Sequence, residues 1–477
     1  MNRRSALKQL GFGMSAGLLL PSMLSSCINN DPGPEVNYDG VVAIIGAGAA
    51  GLFAADILRS KGVKVRVFEA NNRVGGRIYS IRSFNTEFNA FPRQDFPVEI
   101  GAERVLGSNG AWAEVIDLLR VPTVKFKDQS FQKYIIDSTL RTEAEAVLDS
   151  EFLDAQNFYN NLADITGNSV QSAASARGIT SRMQAILNSQ VGNAYGTNNA
   201  SLSADALAEA IAKRERNNEE LIMRNNPMQD ILISRFAQTV NLVELNSKVT
   251  RIDNLGETIE MTVQNTLDQS QEVVTVNKVI VAVPISILKG GEIQFNPPLP
   301  ATKTGAMSKI GMDASLRIVL DFRQNLWGDD TSFILGGNDG PLYFNAGVGR
   351  SETNKILSVT INGPKAVELG ALGNNAINEV VSELDSILDR KASSTVKDAF
   401  IIKDWAADQF IKGGYSYPLP GGSEADRVTL AEAVNDNLFF AGEATDLMGD
   451  WGTVNGALNS GERVALEVIE TIVNPAV

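Results

Sequence analysis

The hydrophobic pattern of the chain becomes regular at residue 41. Residues 41–45 (Val-Val-Ala-Ile-Ile) form an unbroken apolar, largely β-branched run, as expected of a strand buried on both faces of a parallel sheet. Residues 52–60 predict a helix of small and apolar residues, Gly62 ends it, and residues 63–68 alternate as a second strand. Residues 111–119, 143–165 and 202–224 carry apolar positions at helical spacing, so residues 107–226 are predicted to be mainly helical. Residues 279–283 read as a further strand, and residues 291–399 mix strands with a helix near 375–388. A last helix opens after residue 451 and runs to about residue 472. Upstream of this body, residues 10–24 are largely apolar, but too few for a membrane-spanning helix of about 20 apolar residues.

The first strand runs into Gly46-Ala47-Gly48-Ala49-Ala50-Gly51. Gly46 permits a tight turn, and Gly48 lets backbone approach a pyrophosphate at the helix N-terminus. Gly51, helped by Ala50, lets the helix lie close on the sheet. The second strand ends at Glu69, 23 positions after Gly46, where a carboxylate can hold a ribose hydroxyl. Strand, glycines, helix, strand and acid in that order predict a βαβ dinucleotide site. The motif alone does not choose between FAD and NAD.

Composition narrows the chemistry. The 477 residues contain no histidine and one cysteine, Cys27. There is therefore no imidazole base, no Ser-His-Asp or Cys-His catalysis, no intrachain disulfide, and no expected metal site. A cofactor that brings its own reactivity suits such a chain. At the N-terminus, Arg3, Arg4 and Lys8 precede the apolar stretch, which ends Leu24-Ser25-Ser26-Cys27. Residues 1–27 resemble a bacterial lipoprotein signal with Cys27 as the acylated residue, and Arg3-Arg4 resembles a twin-arginine export signal. Residues 28–38, with Pro32 and Pro34, read as a tether. These features predict an exported protein of the bacterial cell envelope, touching membrane only through its lipid. Loss of the leader removes three basic residues and takes the net charge from −14 to −17, which disfavours nucleic acid as a partner.

Arg73-Val74-Gly75-Gly76-Arg77 follows Glu69 closely. Two arginines around a glycine pair suit a pyrophosphate passing close to backbone. The segment resembles the RxGGR element of flavin-containing amine oxidoreductases: monoamine oxidases, polyamine oxidases and L-amino-acid oxidases. The resemblance continues through residues 98–104 (Val-Glu-Ile-Gly-Ala-Glu-Arg), 245–252, 279–284 and 295–300, and through Trp405, Asp408 and Gly413-Gly414-Tyr415-Ser416-Tyr417. It is most specific in residues 438–445 (Leu-Phe-Phe-Ala-Gly-Glu-Ala-Thr) and 451–457 (Trp-Gly-Thr-Val-Asn-Gly-Ala).

The resemblance implies an α/β fold. Its Rossmann-like FAD-binding domain is assembled discontinuously from residues 39–106, 227–290 and 400–477, with an inserted α+β substrate domain from residues 107–226 and 291–399. It adds Ala102, Val249 (through its backbone, at adenine), Gly442, Glu443, Thr453 and Val454 to the FAD-binding residues named above. The implied reaction is oxidation of an amine or amino-acid C–N bond to the imine, with electrons passed to oxygen or another acceptor. Gly414 stands where monoamine oxidases attach flavin through cysteine, so FAD is expected to be held non-covalently. Tyr415 matches one aromatic wall of the family's substrate cage. Thr453 replaces the second, with Trp451 two residues earlier. Arg317 stands where the family carries a lysine that assists oxygen reactivity, and Arg104 where L-amino-acid oxidases clasp the substrate carboxylate. Leu106 replaces the pocket glutamate of polyamine oxidases. A C–C desaturase or protoporphyrinogen-oxidase-like enzyme, and a non-catalytic flavoprotein that binds FAD structurally or passes electrons to another envelope protein, are the alternative readings; oligomeric state is not legible.

Overall fold

Five parallel strands from four separated stretches of sequence make the central sheet of the computed structural model, which describes residues 35–81, 96–338, 340–350 and 355–475. The leader with Cys27, and most of the tether, lie outside the described residues. The strands are β1 (Val41–Ile45), β2 (Lys64–Phe68), β3 (Val243–Glu244), β4 (Lys278–Val281) and β5 (Leu438–Phe440), in the order β5-β4-β1-β2-β3. Each neighbouring pair is parallel, with Ile44 opposite Val67 on one side and Ile280 on the other. This arrangement explains why β1 is apolar at every position: both its faces and both its edges are covered.

Two helices lie on one face of this sheet, α1 (Ala49–Ser60) and α2 (Val454–Val473). Leu52, Leu58, Val464 and Val468 are buried together there with Phe236. The helices approach closely because Gly461 has no side chain; a Cβ there would sit 2.5 Å from the Ala50 carbonyl oxygen. A four-stranded sheet covers the other face, with Ile252 and Met261 packed against Ile45, Phe68 and Phe440.

The second large sheet has seven strands, running in order from Val396–Asp404 through Ser315–Phe322, Ile356–Asn362, Leu342–Asn345, Thr331–Gly336 and Phe131–Ile136 to Thr139–Thr142. One face buries Leu316, Ile318 and Trp327 against the helix Ala376–Ile387; the other buries Phe333 and Phe344 against Phe126 and helices of residues 150–213. Two parts of the predicted helical stretch differ from expectation. Residues 131–136 and 139–142 are a hairpin added to this sheet, and the helix expected over 202–224 stops at Lys213, with Glu220–Met223 forming a strand. In the second case the charged, Asn-rich run Arg214–Asn218 interrupts the helical face, and the short apolar run Leu221–Met223 beyond it is buried as the middle strand of a small three-stranded sheet.

Candidate functional site

A cavity of about 710 Å³ begins at the carboxyl ends of β1 and β2 and extends beneath the seven-stranded sheet. Its first part is built by the glycine-rich turn. Gly46 has φ +105°, and a Cβ there would lie 2.7 Å from the Ala282 carbonyl oxygen, so only glycine makes this turn without strain. Gly48 is the N-cap of α1 and no side chain caps the helix. A Cβ on Gly48 would meet no protein atom within 4 Å, because the residue faces the cavity. An uncapped helix N-terminus facing open space is a natural seat for a phosphate group. Glu69, at the end of β2, accepts the backbone N–H of Ala47 at 2.8 Å and that of Asn71 at 2.9 Å. Burial pushes the Glu69 carboxyl upward, and these N–H donors oppose the shift.

The arginine–glycine element folds against that turn. Gly75 and Gly76 both have positive φ, and Gly75 N–H donates to Ala47 O. Arg73 donates to the Gly76 carbonyl at 2.8 Å and stacks 3.7 Å from the centroid of Tyr79. Arg77 reaches Glu443 at 2.8 Å and the Gly414 carbonyl at 3.0 Å, tying the N-terminal stretch to the C-terminal one. Glu443 also accepts the Gly452 N–H at 2.7 Å and the Ser416 hydroxyl at 2.6 Å. Burial alone would raise its carboxyl; Arg77, Ser416 and Arg427 outweigh that and hold it below the usual carboxylate range. Thr453 caps α2 by accepting the Gly456 N–H, so that Thr453 and Val454 present this helix start to the cavity. Ala50, Ala102, Val249 and Gly442 also line the cavity, and Gly51, whose Cβ would lie 2.0 Å from the Gly46 carbonyl oxygen, sits just beneath. The residues present fit a dinucleotide: two helix starts, a cradle free of side chains, and a terminal carboxylate.

The cavity continues past Tyr415. Its ring packs on the backbones of Gly196 and Gly452, where an added Cβ would meet ring carbons at 2.9 and 3.0 Å. The Tyr415 hydroxyl donates to the Ala194 carbonyl at 3.0 Å and accepts from Asn362 Nδ2 at 3.1 Å, and burial pushes it upward, with Arg104 and Arg317 pulling the other way. Trp451 is a fixed wall. Its indole N–H donates to Glu424 at 3.1 Å, Arg427 lies 4.7 Å over the ring, and Tyr195 packs at 5.4 Å on it. These contacts hold the buried indole in place, and Tyr195 adds a further aromatic ring to the chamber.

Arg317 lines the chamber with its donors directed to protein. One nitrogen reaches Glu103 at 2.6 Å and Ser358 at 2.8 Å, and another reaches the Gly101 carbonyl at 3.0 Å. Arg104 donates to Glu220 at 2.6 Å and lies 5.3 Å from the Phe333 ring centroid. Burial would raise the Glu220 carboxyl, but Arg104 and Lys127 outweigh it and hold the group at about 2. Phe333, Leu335 and Leu342 give the chamber an apolar side.

Sequence reasoning missed Tyr195, Glu220, Arg214 and Phe333. Tyr195 stands alone among Gly192, Asn193, Ala194 and Gly196, an aromatic in a run too small to form a core, and that was its available signal. Glu220 was hidden by its placement in an expected helix.

Comparison with known proteins agrees with this geometry. The model of the family described as "Flavin containing amine oxidoreductase" matches residues 49–189 and 171–469. The chain is 26% identical to human lysine-specific histone demethylase 2 over a 493-position alignment covering 96% of this chain and 57% of that protein. It thus spans little more than half the length of the demethylases it matches. Polyamine oxidase 2 of Arabidopsis thaliana is 25% identical, with 88% of this chain and 86% of that protein covered. Among solved structures, cyclohexylamine oxidase from Brevibacterium oxydans IH-35A superposes with a TM-score of 0.73 at 19% identity, covering 92% of this chain and all of that one. A redesigned putrescine oxidase gives 0.71 at 19% identity, with 90% and 98% covered. With the family's model matched from the start of α1, through the aromatic chamber, into α2, the chain belongs to the flavin-containing amine oxidoreductase family.

Proposed function

We propose that this protein is an FAD-dependent oxidoreductase that converts the C–N bond of a small amine or amino acid to the imine, passing the electrons to oxygen or another acceptor. The observation that carries the reading is the continuity of one cavity from the phosphate-cradling turn to a chamber walled by Tyr415, Trp451 and Tyr195. FAD, when bound, supplies the acceptor for the two electrons and the hydrogen leaving the carbon beside nitrogen. The turn at Gly46–Gly51, Glu69, Arg77, Glu443 and the start of α2 would hold it. The Tyr415 ring presents a π-face to the amine, and its hydroxyl bonds keep that face in place. Phe333, Leu335 and Leu342 keep water from the reacting carbon. Arg104 and Lys127 share the single carboxylate of Glu220, and this excess positive charge opposes an ammonium nearby, which favours the uncharged amine that can give up hydride.

The same reading has FAD held without a covalent bond, since the body after Cys27 has neither cysteine nor histidine. It also has the protein exported and anchored to the bacterial envelope through Cys27, on the strength of the leader's sequence. The charges held by Arg317 within the protein make oxygen a slower acceptor than in enzymes with a titratable lysine there. Incubating the FAD-loaded protein with amines and amino acids, then assaying ammonia, the carbonyl product and peroxide, tests the reading. Ammonia with a matching carbonyl compound supports it; no product from any amine refutes it. Peroxide in proportion to ammonia identifies oxygen as acceptor.

A further inference from the structure

The outer part of the cavity, beyond Tyr415, carries an unbalanced charge. Arg104, Lys127, Arg214 and Arg216 all line it, while Glu220 supplies the only carboxylate of that stretch among the lining residues. Lys127 and Arg104 share Glu220, at 2.7 and 2.6 Å. Arg216 bonds Asp450 at 2.6 Å, behind the wall, and Arg214 lies 3.7 Å from the same carboxylate. Arg214 also donates to the Tyr195 hydroxyl at 2.8 Å, which places its charge beside the aromatic chamber. Four cations face the carboxylates of Glu220 and Asp450 and, behind Arg214, the buried carboxyl of Asp446, so positive charge stays in excess there in a chain whose net charge is −14. The other residues lining this stretch, Gln132, Asn160, Gln190 and Asn218, are uncharged. Nearby Lys125 and Glu219 neutralise each other at the exposed rim, and Glu103 and Arg317 do so deeper in.

A cavity that narrows between low-dielectric walls concentrates the field of such an excess. A second ammonium on the substrate would have to stand among these four cations, whereas a carboxylate would complete them. We infer that the outer cavity selects an amine whose far end carries a carboxylate or similar anionic group, and turns away di- and polyamines. This rests on the amine-oxidation reading above and separates the chain from putrescine- and polyamine-oxidising relatives. The reaction is the same: hydride leaves the carbon beside nitrogen for FAD, a proton leaves nitrogen, and the imine is hydrolysed to a carbonyl compound and ammonia.

The test uses the FAD-loaded protein and straight-chain primary amines of graded length, each length supplied as the alkylamine, the ω-amino carboxylate and the α,ω-diamine. The rate of anaerobic flavin bleaching is read for each, with the dissociation constant from the flavin spectral shift. At the best length the ω-amino carboxylate should exceed the diamine in the ratio of bleaching rate to dissociation constant by roughly tenfold or more, and the gap should shrink as salt is raised. Lys127→Glu, at an exposed rim position, should reduce that preference by about tenfold, and Lys127→Gln by less. The unaltered absorption spectrum of bound FAD would verify folding of both variants. A diamine bleaching as fast as the amino carboxylate, or a preference untouched by Lys127→Glu, overturns the inference while leaving amine oxidation standing. If no amine of any class bleaches the flavin, the parent reading fails and the inference falls with it.

Discussion

A single glycine separates what the fold needs from what the cofactor needs. Gly46 serves the fold, since any side chain there would strike the Ala282 carbonyl from a backbone with positive φ. Gly48 has ordinary backbone angles, φ −78° and ψ −178°, and faces the empty side of the turn. Gly48→Ala should therefore leave the apoprotein's denaturation midpoint unchanged while weakening FAD by about tenfold or more, each factor of ten being about 1.4 kcal/mol. Equilibrium titration of the apoprotein with FAD checks this; unchanged affinity would show that the pyrophosphate does not lie over Gly48. Such glycines were legible in the sequence because spacing alone assigns their roles. Arg317 and Arg104 were legible as positions, but their partners were not. Glu103 sits 214 residues from Arg317, and Glu220 sits 116 residues from Arg104. Nothing local in a sequence announces an ion pair formed between stretches so far apart.

At the scale of elements, the apolar pattern found β1, β2, β4 and the last helix because each buries a uniform face, whereas the two-residue strand β3 left no pattern to read. It failed where an apolar run was short. Residues 131–136 and 139–142 add two strands to the edge of the seven-stranded sheet, and their apolar residues suit either a strand or a turn of helix. The crossing of α1 and α2 was only partly visible, since Ala50 was read as a close-packing residue but its partner Gly461 was not. Gly461→Ala would place a methyl 2.5 Å from the Ala50 carbonyl oxygen. It should cost about 1–3 kcal/mol, as overpacking in a close contact does. Chemical denaturation of the FAD-loaded protein measures it; a loss below half of that would mean that the helices separate readily.

At the scale of the whole molecule, two buried carboxyls among the described residues, Glu99 and Asp446, are raised to about 7. Burial is the main cause for both, and Asp450 adds to it at Asp446. Because the folded values lie above the unfolded ones, folding favours the protonated forms. That contribution is fully present below about pH 4 and is lost as pH rises through about 7. Thermal stability should accordingly fall between mildly acidic and mildly alkaline pH. Asp446→Asn, which keeps an acceptor for the N–H groups of Met448 and Asp450, should flatten the profile and be the more stable protein at alkaline pH. Melting curves of the two proteins across that range decide it; parallel profiles would exclude Asp446 as a source.

The five-stranded sheet, drawn from stretches as far apart as residues 41 and 440, is what brings the cofactor cradle beside the aromatic chamber. In the proposed reaction, a substrate in that chamber loses hydrogen from the carbon beside its nitrogen. Anaerobic stopped-flow bleaching of the bound FAD, with a reactive amine and its counterpart deuterated at that carbon, tests it most directly. Complete bleaching by both is expected, slower with deuterium. Bleaching at equal rates would place bond breaking elsewhere, and a flavin left oxidised by every amine and amino acid would contradict the assignment.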